Sequence, residues 1–145
     1  MSKILSMNYQ FEQIEGSDEQ IEKLFQLLNE RVHFISHIDN PDYKSHVKFV
    51  KNHPYLNWFM VKQNNDVLGT FYIKKDNSIG MNFKTVSNEI VAACIEFINN
   101  QYSPQPALAS MVPDYFYINI ASSNKELLDL MNSLGKSQLQ ISFKI

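Results

Sequence analysis

Between Asn57 and Phe83 three apolar and aromatic runs, NWFMVKQ, VLGTFYIKK and IGMNF, are separated only by the turns NND and DNS. Connections this short can join only antiparallel neighbours, which commits the middle of the chain to a three-stranded meander. The next stretch breaks the pattern. In NSIGMNFKTVSNEIVAACIEFINN (77–100) an apolar strand passes almost directly into a helix that starts near Ser87. Ile90, Val91, Cys94, Ile95 and Ile98 then recur at helical spacing and are expected to be buried. A strand-to-helix joint of this kind can hold phosphate on the free amides of the helix start.

The flanks extend the pattern. MNYQFEQI (Met7 to Ile14) alternates as a first strand. Ser17 as N-cap with Gln20 three residues on makes a capping box, and Ile21, Leu24, Phe25 and Leu28 form the apolar face of a first helix. Asn40 as cap and Pro41 in the first turn open a second helix, PDYKSHVKFVKNH. Beyond the third helix a proline-marked loop, NNQYSPQPALASMVPDY, leads to the strand YFYINIA. The helix SSNKELLDLMNSLG comes next, with a second capping box at Ser123 and Glu126 and Gly135 as a left-handed terminator. LQISFKI closes the order as a last strand. The reading is an α/β (α+β) domain spanning 1–145, β-α-α-β-β-β-α-β-α-β, with helices flanking a mixed twisted sheet.

Bulk properties narrow the partners. Apolar residues make up 44% of the chain, enough for a packed core. The formal charge is −2 and Arg31 is the one arginine, which argues against nucleic acid. No apolar run reaches membrane-spanning length, so no membrane partner is expected. One cysteine, Cys94, and no leader-like apolar start fit a reduced, cytoplasmic protein, as a monomer or homodimer.

The element order, with a meander in the middle and strand-helix-strand at the end, resembles the GNAT family of N-acetyltransferases. The sharpest local match is NKELLDLMNSLG, in which Asn124, Leu130, Leu134 and Gly135 stand at the steps of the family's late helix. DYKSHVKFV, PYLNWFMV and VLGTFYI are similar to the acceptor-side segments of members that act on small amines or amino sugars. The resemblance implies that the fourth and fifth strands splay and that acetyl-CoA, or another acyl-CoA, enters the gap. Its pantetheine arm would pair with main chain at Met81, Asn82 and Phe83. Its pyrophosphate would rest within Thr85 to Glu89, helped by Lys84, Thr85, Ser87 and Asn88. Asn119 and Asn124 are candidates to hold pantetheine amides, or simply to end a strand and cap a helix.

Three departures from the family bear on activity. The glycine-rich pyrophosphate loop is replaced by FKTVSN, whose side chains crowd a phosphate, and Glu89 opposes one. The position of the family's thiolate-protonating tyrosine is Met131, which has no proton to donate. The glutamate that activates water or amine is replaced by Ser78, with Asp76 at the turn edge. Catalysis would then rest on alignment of amine and thioester, or on His33, His37 or Tyr117 as acid or base. Arg31, His33, His37 and Tyr72 are the expected substrate contacts. His33 and His37 have the spacing of metal ligands, but nothing completes a set and no metal is expected. Two readings stay open: an N-acetyltransferase acting on a primary amine of a small molecule, or a non-catalytic module of the same fold that binds a metabolite or protein.

Overall fold

A computed structural model describes residues 9–30 and 42–145 of the chain. They form β1 (Tyr9–Gln13), α1 (Asp18–Asn29), α2 (Tyr43–Lys51), β2 (Asn57–Gln63), β3 (Asp66–Ile73), β4 (Ser78–Phe83), α3 (Asn88–Gln101), β5 (Tyr117–Ile118) and α4 (Lys125–Ser133). The sheet runs β1-β2-β3-β4-β5. Its first four strands are antiparallel neighbours in chain order, and β5 joins β4 in parallel. Asn64 and Asn65, both at positive φ, make the two-residue turn from β2 to β3. Asparagine tolerates that region, and the turn's twist matches that of the strands it joins.

Alternation along the strands divides the apolar residues between two faces. Phe59, Val61, Phe71, Ile73 and Ile79 pack against Ile90, Val91, Cys94 and Ile98 of α3 and Leu127, Leu130 and Met131 of α4. Trp58, Met60 and Val67 face Ile21, Leu24 and Leu27 of α1 and Val50 of α2. Phe71 has no exposed surface, and its burial contributes about 2–3 kcal/mol before entropy is counted. Ile95, expected in the core, is half-buried, and Ala93 takes the buried position instead.

Helix starts follow the local chemistry, with two shifts. Ser17 and Gln20 form the expected capping box. The α2 cap is Asp42, whose carboxylate accepts from the Ser45 amide at 2.7 Å; Asn40 and Pro41 lie outside the described residues. At α4 the expected box at Ser123 and Glu126 gives way to Asn124 as cap. Its Oδ1 accepts from the Leu127 amide at 3.3 Å, so the adjacent capping residue holds the position.

Two strands differ from expectation. Only Tyr117 and Ile118 of YFYINIA pair with a neighbour, because β4 and the fifth strand separate beyond them. LQISFKI forms no strand: among the described residues nothing pairs with it, and Leu139, Ile141 and Phe143 are exposed.

The long loop after α3 is tied down by a buried asparagine. Asn77, at φ 73° and 1% exposed, donates from Nδ2 to the carbonyls of Gln105 and Pro113, and its Oδ1 accepts from the Gln105 amide. These bonds hold both ends of 105–113 against the turn before β4. Replacing Asn77 with Ala leaves three backbone groups without partners and a strained φ. The expected cost is roughly 2–4 kcal/mol, read as a lower urea midpoint at unchanged slope.

Candidate functional site

The parallel pairing of β4 with β5 covers two residue pairs, Ser78 with Tyr117 and Ile79 with Ile118. Beyond them β4 runs on to Phe83 with β3 on one side only, from Ile79 opposite Ile73 to Phe83 opposite Gly69. The phase of that ladder identifies which peptide groups face the opening. Lys74 N–H donates to Ser78 C=O at 2.9 Å and Lys84 N–H to Leu68 C=O at 2.8 Å. In an antiparallel pair alternate residues exchange bonds with their opposites, so Ser78, Gly80, Asn82 and Lys84 turn their peptide groups toward β3. Ile79, Met81 and Phe83 turn theirs the other way. Ile79 meets β5, whereas Met81 and Phe83 look into the gap. Asn82, expected as a main-chain contact, faces β3 with its backbone and keeps only its side chain for another role.

The Phe83 ring lies over Gly69 of β3, where any Cβ would collide with it. Met131 is 8% exposed and belongs to the core on the α3 and α4 side, as packing rather than chemistry.

The α3 start presents a modest anion site. Ser87 is its N-cap and accepts from the Ile90 amide at 3.3 Å, which commits its hydroxyl. By helix geometry the Asn88 and Glu89 amides keep no partner within the helix. Thr85 and Asn88 are exposed beside them, and Lys84 reaches Glu30 at 3.8 Å, a loose and exposed pair. Glu89 in the first turn sets a negative charge against an incoming phosphate. Asn119 is exposed just past β5, and the Asn124 side chain is taken up by its cap.

At the closed end of the gap stands a cluster of Asp76 at the turn edge, Ser78 at the start of β4 and Tyr117 of β5, the last an acid or base candidate from the sequence. Asp76 Oδ1 accepts from the Ser78 amide at 3.0 Å and the Ser78 hydroxyl at 2.6 Å, and Oδ2 accepts from the Tyr117 hydroxyl at 3.2 Å. Burial acts to raise the Asp76 carboxyl, but the bonds from Ser78 and Tyr117 outweigh it and hold the group below the usual range. Burial and the adjacent Asp76 charge push the Tyr117 phenol up, so it stays protonated at neutral pH. A carboxylate has about four acceptor positions, and three bonds leave about one.

Ile79 and Ile118 both pack in the α3 and α4 core, so Tyr117, Gly80 and Tyr72 lie on the opposite face, toward α1 and α2. The Tyr72 ring extends over Gly80, in space that a side chain there would fill. It stacks on Tyr55 with centroids 4.0 Å apart and planes at 4°. Trp58 meets Tyr55 edge-on at 5.2 Å and His53 at 5.1 Å. The Trp58 Nε1–H is buried without a hydrogen-bond partner among the described residues. Burial lowers the His53 imidazole, whose Nδ1 accepts from the Tyr55 amide at 3.2 Å. His46 Nε2 bonds the Ile21 carbonyl at 3.0 Å and braces α1 against α2. Arg31, His33 and His37 lie outside the described residues. Among the described residues no group of three His, Cys, Asp or Glu could hold a metal ion, and no helix could cross a membrane. A depression of about 390 Å³ between Glu96, Asn99 and Lys136 lies toward the far end of α3, away from the gap.

No protein-family profile and no curated protein matches the sequence. Solved structures match the fold. The chain superposes on Campylobacter jejuni N-acetyltransferase PseH with a TM-score of 0.60 over 93% of this chain and 92% of that one, at 14% identity. The fold is GNAT-like. A structure described as a possible acetyltransferase from Clostridium difficile 630 aligns at TM-score 0.57, with 9% identity over 94% of this chain and 95% of that one. An aminoglycoside acetyltransferase from an uncultured soil metagenomic sample, in complex with sisomicin, aligns at 0.51, with 13% identity over 95% of each chain.

The closed-end cluster makes a pH-dependent prediction. A carboxyl held below its ordinary value of 3.8 stabilises the fold above that value and loses its contribution as pH falls through its folded value. Asp76→Asn should therefore lower stability at pH 7 by roughly 1 kcal/mol, a figure discounted for a half-exposed group. Urea denaturation should show the gap between variant and parent closing below about pH 4.

Proposed function

We propose that this chain is an N-acetyltransferase that moves an acetyl group from acetyl-CoA to a primary amine of a small molecule, foremost an amino sugar. The observation that carries the reading is the gap beyond Ile79 and Ile118, with the peptide groups of Met81 and Phe83 turned into it. A pantetheine arm has amides of matching spacing and would pair with them as an added strand does. The pyrophosphate would lie at the α3 start, on the amides of Asn88 and Glu89 with Thr85, Asn88 and Lys84 beside them.

On the α1 and α2 side of Gly80 the acceptor would meet an anionic carboxylate, two phenols and a flat aromatic shelf. Asp76 supports recognition of an ammonium, and the stacked Tyr55 and Tyr72 offer apolar area to a sugar ring. Substrate roles for Arg31, His33 and His37 remain part of the proposal, as does a cytoplasmic location. In the reaction the amine nitrogen attacks the thioester carbonyl, the carbon–sulfur bond breaks, and the amine proton leaves to solvent or a nearby base. The thiolate takes a proton, for which Tyr117 is the candidate donor. Positioning of amine and thioester supplies most of the acceleration.

The second reading, a non-catalytic module of this fold, is favoured by Met131 in the core and by the glycine-free α3 joint. Calorimetry with acetyl-CoA, then turnover with amino sugars, polyamines and amino acids, separates the two. The proposal expects binding and release of free thiol. Tyr117→Phe should lower kcat roughly 100-fold with the KM for acetyl-CoA nearly unchanged. Binding without turnover on any amine supports the module, and no binding at millimolar acetyl-CoA rejects the enzyme.

A further inference from the structure

His53 lies in the link between α2 and β2, followed by Pro54 and Tyr55. Its Nδ1 accepts from the Tyr55 amide at 3.2 Å, a side-chain bond that closes a tight turn around Pro54. The β2 ladder begins one residue later, where Leu56 N–H donates to Ile73 C=O at 2.8 Å. The imidazole therefore does for the Tyr55 backbone what β3 does for the residues after it. Accepting at Nδ1 defines the ring as the neutral form, with its proton on Nε2. A proton on Nδ1 would set two donors against each other and break the bond.

What this turn holds is the aromatic face above Gly80. Trp58, Tyr72 and Gly80 stand opposite one another on β2, β3 and β4, in one row across the sheet. His53 meets the Trp58 ring at 5.1 Å and the Tyr55 ring at 5.5 Å. Tyr55 stacks on Tyr72, and Tyr72 covers Gly80. Phe49 of α2 closes the cluster against Tyr55 and Trp58, at 5.7 and 5.9 Å. α1 meets this face with Ile21, Leu24 and Leu27. His46 of α2 is turned to the Ile21 carbonyl, and Lys51 at the end of α2 is exposed. The titratable neighbours of the imidazole are thus the Tyr55 phenol and, beyond it, that of Tyr72. Among the described residues no carboxylate or ammonium shifts the imidazole; burial does, and holds it below its ordinary 6.5.

We infer that His53 is a positioning residue: its neutral imidazole fixes the Tyr55 and Tyr72 shelf over Gly80, and a proton taken up on Nδ1 releases that shelf. The proton comes from solvent, the Tyr55 N–H bond to Nδ1 breaks, and no covalent bond changes. The sign follows from burial. A histidine that charges less readily than a free one keeps the shelf intact at pH 7 and loses it as pH falls through a folded value below 6.5. The consequence for an acceptor amine rests on the function proposed above; the release of the shelf does not. Asparagine is the natural control. Its Oδ1 also accepts from the amide two residues on, as in an Asx turn, and it does not titrate.

The chain has one tryptophan, Trp58, so its emission reports on this cluster alone. An imidazolium against an indole quenches it. The test compares the unaltered chain with His53→Asn and His53→Ala between about pH 5 and 8. In the unaltered chain Trp58 emission should fall with acid, and the Tyr55 amide should lose protection from exchange at the same midpoint. The Asn variant should keep a flat emission and a protected Tyr55 amide throughout; the Ala variant should exchange fast at every pH. With acetyl-CoA and a reactive amine, the amine KM of the unaltered chain should rise roughly fivefold more than that of the Asn variant between about pH 7.5 and 5.5. The Asn variant carries the protonation of the amine itself, and the KM for acetyl-CoA should stay level in both. An emission midpoint that survives in the Asn variant overturns the inference. So does a Tyr55 amide that stays protected while His53 titrates, or an amine KM that follows the same course in both chains. If the Ala variant does not fold, the other two chains carry the comparison. Absence of turnover with any amine defeats the function proposed above, and the Tyr55 amide then decides this inference by itself.

Discussion

The structure depends on a parallel strand pair that is made and then abandoned. β4 and β5 share two residue pairs, and at that closed end Asp76 gathers the Ser78 amide, the Ser78 hydroxyl and the Tyr117 hydroxyl around one carboxylate. A charged acceptor makes each of these bonds stronger than a neutral one would be. The clamp lets the strands part above it without losing their alignment below. If they stayed together, the Met81 and Phe83 peptide groups would be bonded to β5 and the gap would not exist.

Everything near the gap is arranged around that junction. Asn77, next to Asp76, anchors the long loop that delivers the chain from α3 to β5, so the same turn positions both strands. α3 and α4 cover one face with a dense apolar core, which takes in Met131 and leaves no proton donor at that position. The other face is aromatic, with Tyr72 fitted over the one β4 residue that has no side chain. Under the proposed function, the acyl end of a thioester lying along β4 would come near Gly80, beside Asp76 and the stacked Tyr55 and Tyr72.

Much of this is legible in the sequence, where the signal is local. The Asn64–Asn65 turn, the Ser17 and Gln20 capping box and the α3 face apart from Ile95 follow from residue chemistry within a few positions, and the structure bears them out. The splay of β4 and β5 is legible through resemblance alone, because no local rule says where a parallel partner departs. For the same reason alternation overestimates β5 and makes a strand of LQISFKI, since a pattern records a strand's readiness but not its neighbour. Ser123 and Asn124 are adjacent capping residues, and only geometry chooses between them. Asp76, Ser78 and Tyr117 are each noticed in the sequence, but their meeting is hidden because Asp and Ser between two strands are also what any turn contains and Tyr117 lies far along the chain. That the Asn82 backbone turns toward β3 is invisible in the sequence because ladder phase needs the register.

The central claim is that the Met81 and Phe83 amides point into an open gap, and residue-resolved amide hydrogen exchange reads it directly. In the free protein these two amides should exchange far faster than those of Gly80 and Asn82, which bond to β3, and acetyl-CoA should slow them. Slow exchange at all four positions without ligand would mean that β4 is already paired on both sides, and would contradict the account.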